Sequence, residues 1–249
     1  MLSLKRRVAN ALGGVLGAHI IPKHRLGGWL EDHFVGDLLR ALDVDCVFDV
    51  GANKGQFATQ LRRGGFGGTI LSFEPGPAAY SALSEAASTD PHWHTFNMAL
   101  GASETSLELN VMESDVFSSF HTPMASEEAH WKDMNAVAAT VQVDVKPLHS
   151  VFESLANQYG FRRPFLKMDT QGFDLEVVKG AGGQIKKFVG LSSEIAIRRI
   201  YEESPTMLES IDTISQAGFE FVNFMPVHFD RILNPVELNS FAVRRDIAQ

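Results

Sequence analysis

The stretch "VFDVGANKGQF", residues 47–57, decides how the rest of the chain is interpreted. An apolar run ends at a glycine-containing turn, and a segment with the apolar spacing of a helix follows it. This order of strand, turn and helix is typical of the entrance to a nucleotide site in an α/β sheet. Yet Asn53 occupies the place of the second glycine in the dinucleotide pattern G-x-G-x-x-G. The turn therefore predicts a nucleotide or nucleoside site and leaves the ligand open.

Strand and helix patterns alternate along the chain on the C-terminal side of this turn. Short apolar runs bounded by glycine and polar residues predict strands, and segments with 3.6-residue periodicity between them predict helices. The predicted strands are "CVFDV", "GGTILSFE", "HWHTFNMAL", "PFLKMD", "VGLSSEIAI", "FEFVNFM" and "SFAVRR". This alternation predicts a doubly wound, mostly parallel α/β sheet with right-handed crossovers. The last two strands predict an antiparallel hairpin at one edge of that sheet.

A loop and strand region is predicted within the sheet domain, at about residues 101–150. The segments "SLELNVM" and "ATVQVDVKPL" alternate with period two, as half-buried strands do. Between them lies a stretch rich in polar and loop-forming residues. We therefore predict one domain over residues 44–249 that carries this region as an insertion.

Composition limits the classes of protein to which the chain can belong. The net charge is −8 over 249 residues, which counts against nucleic acid as a partner because such proteins usually present a basic surface. Cys46 is the single cysteine, so the chain has no internal disulfide framework. The single cysteine fits a protein of a reducing compartment, and we expect a cytoplasmic one.

The N-terminal segment, residues 1–43, is predicted as a helical lead-in. Its first thirty residues carry five lysines and arginines and no acidic residue. The apolar run is interrupted by glycines and is too short to span a bilayer. Two interpretations remain: a helix packed on the domain, or a peripheral contact of residues 1–25 with the anionic inner face of a membrane.

A polar residue marks the end of each predicted core strand, at Asp49, Glu74, Asn97, Asp169 and Glu194. Ligands of parallel sheets bind beyond the carboxyl ends of the strands, so these side chains predict one acidic site. Such a site suits a cationic ligand better than a pyrophosphate.

Glu74 follows Asp49 by 25 residues, the separation at which a carboxylate on the second strand reaches the ribose hydroxyls of a bound nucleoside. A nucleoside with a positive charge and no phosphate fits both features, which favours S-adenosylmethionine. Lys54 offers a phosphate contact, so a nicotinamide-dependent oxidoreductase remains an alternative, as does a non-catalytic binding module on the same fold.

Several segments together resemble the motifs of the FkbM-type methyltransferases, which are class I, Rossmann-like enzymes that use S-adenosylmethionine. These segments are "FDVGANKGQFA", "SFEPGPAAYSAL", "NMALG", the serine pair at 118 and 119, "FLKMDTQGFDLEVVKGA" and "LSSEIA". The resemblance extends from about residue 44 to the C-terminus. It implies O-methyl transfer to a hydroxyl of a sugar, glycolipid or other hydroxylated metabolite, as in polysaccharide biosynthesis.

The resemblance also implies which residues contact the methyl donor. Glu74 would bind the ribose, and the stretch from Asn97 to Ala99 would lie along the adenine. The full predicted set is Asp49, Gly51, Asn53, Gly55, Phe57, Glu74, Pro75, Asn97, Ala99 and Ser118.

Asp169 is the leading candidate for positioning the acceptor or removing its proton, and Glu194 is the second. A helix N-cap is the alternative role for Asp169, because a helical segment follows within a few residues. The two carboxylates also suggest a shared Mg²⁺ with Asp174 nearby, although the spacing assigns no residue as a metal ligand.

Overall fold

A computed structural model of the chain describes residues 21–22, 25–112, 119–120 and 137–248. Within these described residues, ten strands follow one another in chain order. They are β1 Cys46–Val50, β2 Thr69–Phe73, β3 Trp93–Phe96, β4 Ala99–Gly101, β5 Thr105–Met112, β6 Val137–Pro147, β7 Pro164–Met168, β8 Gly190–Ala196, β9 Phe219–Phe229 and β10 Pro235–Arg244.

Helices connect most of these strands at the positions that the apolar periodicity predicts. Proline in the first turn of the helix after β2 and a capping box formed by Thr206 and Glu209 mark two helix starts. The helices are α1 Leu26–Ala41, α2 Gln56–Arg63, α3 Pro77–Ala87, α4 Leu148–Tyr159, α5 Asp174–Ala181, α6 Met207–Gln216 and the short α7 Arg245–Ala248.

Seven strands form the main sheet in the order β3-β2-β1-β7-β8-β10-β9. The pairs from β3 to β8 are parallel, and β10 runs antiparallel to both β8 and β9. This confirms the predicted doubly wound, mostly parallel sheet with an antiparallel hairpin at its edge. The strand order reverses between β1 and β7, and a crevice opens at such a switch point beyond the strand ends.

The segment "HWHTFNMAL", predicted as one strand, is divided between two sheets. β3 ends at Phe96 in the main sheet, whereas β4 begins at Ala99 and pairs with β6 in a second sheet of order β4-β6-β5. Between them the Asn97 side chain donates hydrogen bonds to the carbonyls of Glu74 and Pro75. These bonds hold the chain beside the end of β2, where it leaves the main sheet. The strands predicted on either side of the loop-rich stretch are confirmed as β5 and β6.

Hydrophobic clusters cover both faces of the main sheet, as the near-continuous apolar strands require. On one face, Phe48 contacts the rings of Phe73, Phe152, Phe161 and Phe188 at centroid distances of 5.1 to 5.9 Å. The other face is built on Val47, Ile70 and Phe165. Packing on both faces fixes the strand ends, and with them the side chains that project beyond the sheet.

Helix α1 packs on the second of these clusters. Val35 and Leu39 are buried there, and the Phe34 ring meets the Phe241 ring of β10 edge to face at 5.0 Å. The predicted domain boundary at residues 43 and 44 therefore separates two elements that share one hydrophobic cluster. The predicted membrane contact falls largely on residues 1–20, 23 and 24, outside the described residues. Within the described part of the chain, no helix is long and apolar enough to cross a membrane.

Candidate functional site

A cavity of about 650 Å³ lies at the carboxyl ends of the strands, across the switch point between β1 and β7. Its volume is in the range of small-molecule sites, about 300 to 1,000 Å³. One half is lined from β1, β2 and β4 together with α2, α3, β5 and β6, and the other from β7, β8, β10 and α1. Its charged lining residues in the described part of the chain are four carboxylates and one lysine: Glu31, Asp32, Glu74, Asp169 and Lys167.

The turn of residues 51–55, where the sequence leaves the ligand open, uses its backbone amides internally. Gly51 and Ala52 donate to the Phe73 carbonyl at 3.0 and 3.1 Å. The other three amides donate to Glu74 Oε2, Asn53 Oδ1 and the Ala52 carbonyl at 2.8, 2.7 and 2.8 Å. A dinucleotide loop holds pyrophosphate with free amides at this point. These five amides already have protein acceptors, so the turn is not built for phosphate.

Gly51 has no side chain because the loop after β7 passes directly against it. A Cβ on Gly51 would lie 2.0 Å from the Asp169 carbonyl oxygen, and the residue has a φ of +71°, a conformation that favours glycine. The Asp169 amide also donates to the Val50 carbonyl at 3.1 Å. This close approach brings Asp169 to the turn that lines the first half of the cavity.

Glu74 projects from the end of β2 into the first half of the cavity. Its carboxylate accepts one hydrogen bond from the Asn53 amide at 2.8 Å and one from the Gly76 amide at 2.7 Å. Burial raises the pKa of Glu74, although these two hydrogen bonds and Lys167 oppose the shift. Each oxygen keeps further acceptor capacity, so the residue is held in place for a ligand that donates hydrogen bonds, such as a ribose.

Asp49, predicted to shape the cofactor contacts, is instead enclosed beneath the turn. Its side chain has no exposed area and is absent from the cavity lining. Lys167 Nζ lies 2.9 Å from Asp49 Oδ1, and the Ser72 hydroxyl donates to Oδ2 at 3.1 Å. The lysine also donates to the Gly51 carbonyl at 3.0 Å. Asp49 therefore acts through Lys167 and the turn, and a direct ligand contact does not fit its position.

The remaining residues of the predicted cofactor set divide between the cavity and its surroundings. Gly51, Asn53, Phe57, Glu74, Pro75 and Ala99 line the cavity. Gly55 begins α2 with a φ of +83° and packs against the Trp93 ring, and Asn97 holds the loop after β2. Neither of these two lines the cavity, so each supports it structurally. Ser118 lies outside the described residues, whereas the Ser119 hydroxyl donates to the Gln171 carbonyl at 2.7 Å.

The two predicted catalytic carboxylates occupy different environments. Asp169 lines the cavity with 47% of its side chain exposed. Glu194 does not line it, and its pKa is raised well above the usual range by burial and by its neighbours Asp169 and Glu237. This corrects the prediction that Glu194 acts directly, because its carboxylate is separated from the cavity. The N-cap alternative for Asp169 is wrong, since Phe173 is the N-cap residue of α5.

Gln171 connects these two carboxylates, and the sequence did not single it out. Its Nε2 donates to Asp169 Oδ1 at 3.0 Å and to Glu194 Oε2 at 2.8 Å, while Tyr201 donates to its Oε1 at 2.9 Å. The residue is buried and has a φ of +52°. A non-glycine residue in that conformation is a common sign of a functional constraint. The backbone places the amide where it orients Asp169.

The suggested Mg²⁺ does not fit the carboxylates to which it was assigned. Gln171 Nε2 is a hydrogen-bond donor between Asp169 and Glu194, where the cation would need acceptors. Asp174 is engaged as well: Thr170 donates to Oδ1, and Ser193 and the Glu194 amide donate to Oδ2 at 2.7 and 3.1 Å. On the other side of Glu194, His228 Nδ1 lies 3.8 Å from Glu194 Oε1 and 2.7 Å from Glu237 Oε2. The hydrogen bond with Glu237 raises the pKa of His228.

The cavity also contains residues that the strand pattern alone did not reveal. Glu31 and Asp32 come from α1, and Asn239 comes from β10. Asn239 Nδ2 donates to Glu31 Oε1 at 2.6 Å, across a separation of 208 residues. No local pattern signals such a contact, because two distant segments meet only when the sheet is folded.

Comparisons with known proteins identify the family of the chain. The family model "Methyltransferase FkbM domain" matches residues 49–221, well over half of the chain. Among curated proteins, none matches.

Two solved structures with a similar fold, both at low sequence identity, contain bound S-adenosylmethionine. Magnesium protoporphyrin IX methyltransferase from Synechocystis PCC 6803, with bound S-adenosylmethionine, has 11% identity and a TM-score of 0.46 over 98% of each chain. Fibrillarin from Aeropyrum pernix, with natively bound S-adenosylmethionine, has 13% identity and a TM-score of 0.46 over 85% of this chain and 74% of that chain. Both TM-scores are below 0.5, and the assignment rests on the family match together with the observed strand order. The chain belongs to the FkbM family of S-adenosylmethionine-dependent methyltransferases.

Proposed function

We propose that this protein transfers a methyl group from S-adenosylmethionine to a hydroxyl oxygen of a sugar, glycolipid or other hydroxylated metabolite. The observation that carries the proposal is the position of Asp169. Its partly exposed carboxylate stands where the loop after β7 touches the turn after β1, between the two halves of the cavity. A base at this boundary lies beside both a donor in the first half and an acceptor in the second.

The electrostatics of the cavity support a cationic methyl donor over a nicotinamide dinucleotide. The amides of residues 51–55 have protein acceptors, and the charge of Lys167 is engaged by Asp49. A pyrophosphate would therefore meet carboxylates without a free set of donors. A sulfonium and an ammonium group are attracted by the same carboxylates. We propose that the first half of the cavity holds the donor, with Glu74 on the ribose and Phe57, Pro75 and Ala99 in contact with it.

S-adenosylmethionine supplies a methyl group that is already activated for displacement by its sulfonium. The protein therefore contributes chiefly by holding the acceptor oxygen in line with that methyl group. Asp169 accepts a hydrogen bond from the acceptor hydroxyl, which directs an oxygen lone pair, and takes the proton as the oxygen is methylated. Gln171 keeps the Asp169 carboxylate in one orientation through the 3.0 Å hydrogen bond to Oδ1.

The negative charge of the cavity favours neutral partners over nucleic acid. A glycan, glycolipid or small hydroxylated molecule enters as a neutral group, whereas a nucleic-acid phosphate would be repelled by the carboxylates. A cytoplasmic location and a membrane contact of residues 1–25 stay predictions from the sequence.

Methyl transfer from tritiated S-adenosylmethionine tests the proposal against both alternatives. The purified protein is incubated with neutral methyl glycosides and with small alcohols, and the methylated position is located by NMR of the product. Transfer to oxygen supports the proposal. Tight binding of NAD without binding of S-adenosylmethionine contradicts it in favour of the oxidoreductase. Binding of S-adenosylmethionine with no transfer to any hydroxyl, under conditions where a known methyltransferase is active, favours the non-catalytic module.

Asp169→Asn is expected to lower kcat about 10²- to 10⁴-fold, the usual contribution of a positioned acid or base. Asparagine keeps an oxygen to accept the Gln171 hydrogen bond and loses the capacity to take a proton. We expect the Kd for S-adenosylmethionine, measured by calorimetry, to rise by less than about tenfold, because one carboxylate no longer attracts the sulfonium while the proposed hydrogen bonds of Glu74 to the ribose remain.

Asp212→Asn serves as the matched control, because Asp212 is exposed on α6 and the substitution removes the same charge. It should leave kcat unchanged. A loss of donor binding or a large drop in melting temperature in Asp169→Asn would instead assign Asp169 a structural role.

A further inference from the structure

We propose that the part of the cavity lined by α1 and β10 is the acceptor subsite, in which Glu31 accepts a hydrogen bond from a hydroxyl of the acceptor. The subsite selects neutral or cationic polyhydroxyl acceptors over anionic ones such as uronic acids and sugar phosphates. The inference rests on the proposed O-methyl transfer and adds the substrate class and the residue that recognises it.

The topology separates the two halves of the cavity. Gly51, Asn53 and Glu74 come from strands on one side of the switch point, and they form the half that we assign to the donor. Ser192 and Asn239 come from β8 and β10 on the other side, where α1 packs against β10 through the rings of Phe34 and Phe241. Asp169 lies between the halves. An acceptor that reaches Asp169 from the second half therefore has α1 and β10 as its walls.

Glu31 is held in this second half with one oxygen available. Asn239 Nδ2 donates to Oε1 at 2.6 Å, which fixes the side chain between helix and strand. Among the described residues, Oε2 receives no hydrogen bond from the protein. A half-buried carboxylate oxygen in the wall of a cavity is a strong acceptor for a ligand hydroxyl.

Gly28 leaves room beside this carboxylate. It lies in the first turns of α1 and lines the same cavity, and a Cβ built on it has no heavy atom of the described residues within 4 Å. Glycine in a helix costs about 1 kcal/mol relative to alanine. A side chain at this position would extend into open volume next to Glu31, so the glycine keeps the subsite accessible.

The charge of the subsite determines the class of acceptor. Asp32 and Asp169 line the cavity with Glu31, and the lysine among its lining residues is paired with Asp49. Burial raises the pKa of Glu31, the neighbours Asp32 and Asp169 add to the shift, and the hydrogen bond from Asn239 opposes it. A ligand that donates hydrogen bonds stabilises these carboxylates, whereas an anionic group is repelled by them.

Glu31 and Asn239 both lie outside residues 49–221, the segment that matches the family model. The contacts that we assign to the donor, at Gly51, Asn53 and Glu74, lie within it. The two residues that we assign to recognition of the acceptor therefore lie in the parts of the chain that the family model does not match.

Glu31→Gln tests the subsite, because glutamine retains an oxygen for Asn239 and places a donor where Oε2 was an acceptor. The probes are neutral methyl glycosides of glucose, galactose and mannose, each paired with the methyl glycoside of its uronic acid. Binding to protein saturated with S-adenosylhomocysteine is measured by saturation-transfer NMR, and transfer is measured with tritiated S-adenosylmethionine. Asp37→Asn, an exposed change of the same kind on α1, is the control, and Asp32→Asn is a second test variant.

We expect wild-type protein to prefer a neutral glycoside over its uronic acid by at least about tenfold. In Glu31→Gln, kcat/KM for that glycoside should fall about 10- to 100-fold, the Kd for S-adenosylmethionine should not change, and the discrimination against the uronic acid should shrink. Asp32→Asn should also reduce the discrimination against the uronic acid, and Asp37→Asn should leave it unchanged.

Two results overturn the inference while leaving O-methyl transfer intact: transfer that is insensitive to Glu31→Gln, or equal acceptance of the neutral and acidic glycosides. Absence of any glycoside binding also overturns it. A different outcome is that glycosides bind in a manner that depends on Glu31 but are not methylated. That result supports the subsite and contradicts the proposed methyl transfer.

Discussion

Lys167→Met is expected to lower the free energy of unfolding by about 3 to 5 kcal/mol, the cost of leaving one partner of a buried ion pair without its counter-charge. Lys167 Nζ lies 2.9 Å from the fully buried Asp49 carboxylate and 3.8 Å from Asp169 Oδ2. Burial by itself lowers the pKa of Lys167, but the attraction of Asp49 and Asp169 exceeds it and raises the pKa to about 12. The raised pKa shows that the folded protein favours the charged lysine.

The direction of the pKa shift of Lys167 defines the pH range in which its ion pair with Asp49 stabilises the fold. A lysine whose pKa rises on folding stabilises the protein below its unfolded value of about 10.4, and the contribution is lost as the pH rises through about 12. Urea unfolding at pH 7 therefore measures the full effect of the substitution.

Two variants identify the buried charge as the cause. Lys179→Met removes an exposed lysine paired with Glu176 and should cost less than about 1 kcal/mol. The double variant Asp49→Asn with Lys167→Met removes both charges and should recover part of the lost stability. If the double variant is as unstable as Lys167→Met alone, loss of packing by the lysine stem explains the effect and the ion pair does not.

Glu74→Ala is expected to weaken binding of S-adenosylmethionine about 10²- to 10⁴-fold. Two hydrogen bonds from ribose hydroxyls to a carboxylate contribute about 1.5 to 3 kcal/mol each, and each 1.4 kcal/mol changes the Kd tenfold. The carboxylate also joins the turn at Asn53 to the loop at Gly76, so its removal loosens the two segments that contact the donor. Calorimetry with S-adenosylmethionine and with S-adenosylhomocysteine measures the loss.

Glu85→Ala is the control for this substitution, since Glu85 is exposed on the neighbouring helix α3. Its Kd should equal that of the wild type. Circular dichroism of Glu74→Ala separates loss of the site from loss of the fold, and we expect a folded protein. Retention of wild-type affinity in a folded Glu74→Ala variant would show that the donor does not occupy the first half of the cavity.

Much of the donor half was predictable from local sequence. A strand followed by a glycine turn and a helix has few conformations, and a parallel sheet brings all its carboxyl strand ends to one edge. Glu74 and Asp169 were identified because they immediately follow apolar strands, and the structure places both in the cavity wall. The family match and the strand order agree with the predicted class of fold.

Strand ends alone did not distinguish a cavity residue from one enclosed beneath it. Asp49 and Glu194 follow the same pattern as Glu74 and Asp169, yet neither lines the cavity. The difference arises from their neighbours, because Lys167 pairs with Asp49 and Gln171 stands in front of Glu194. A carboxylate's role depends on which opposite charge or donor reaches it, and that is decided by contacts across strands.

Local sequence was enough to predict the class of fold, the edge of the sheet at which the cavity lies and a cationic nucleoside as its ligand, because periodicity and turn chemistry are local properties. Contacts between distant segments set which carboxylates are exposed and which are neutralised. The tertiary structure also brought Glu31 to Asn239 across 208 residues to form the second half of the cavity. Such pairings follow from how α1 and β10 pack on a shared core, and no local pattern encodes them.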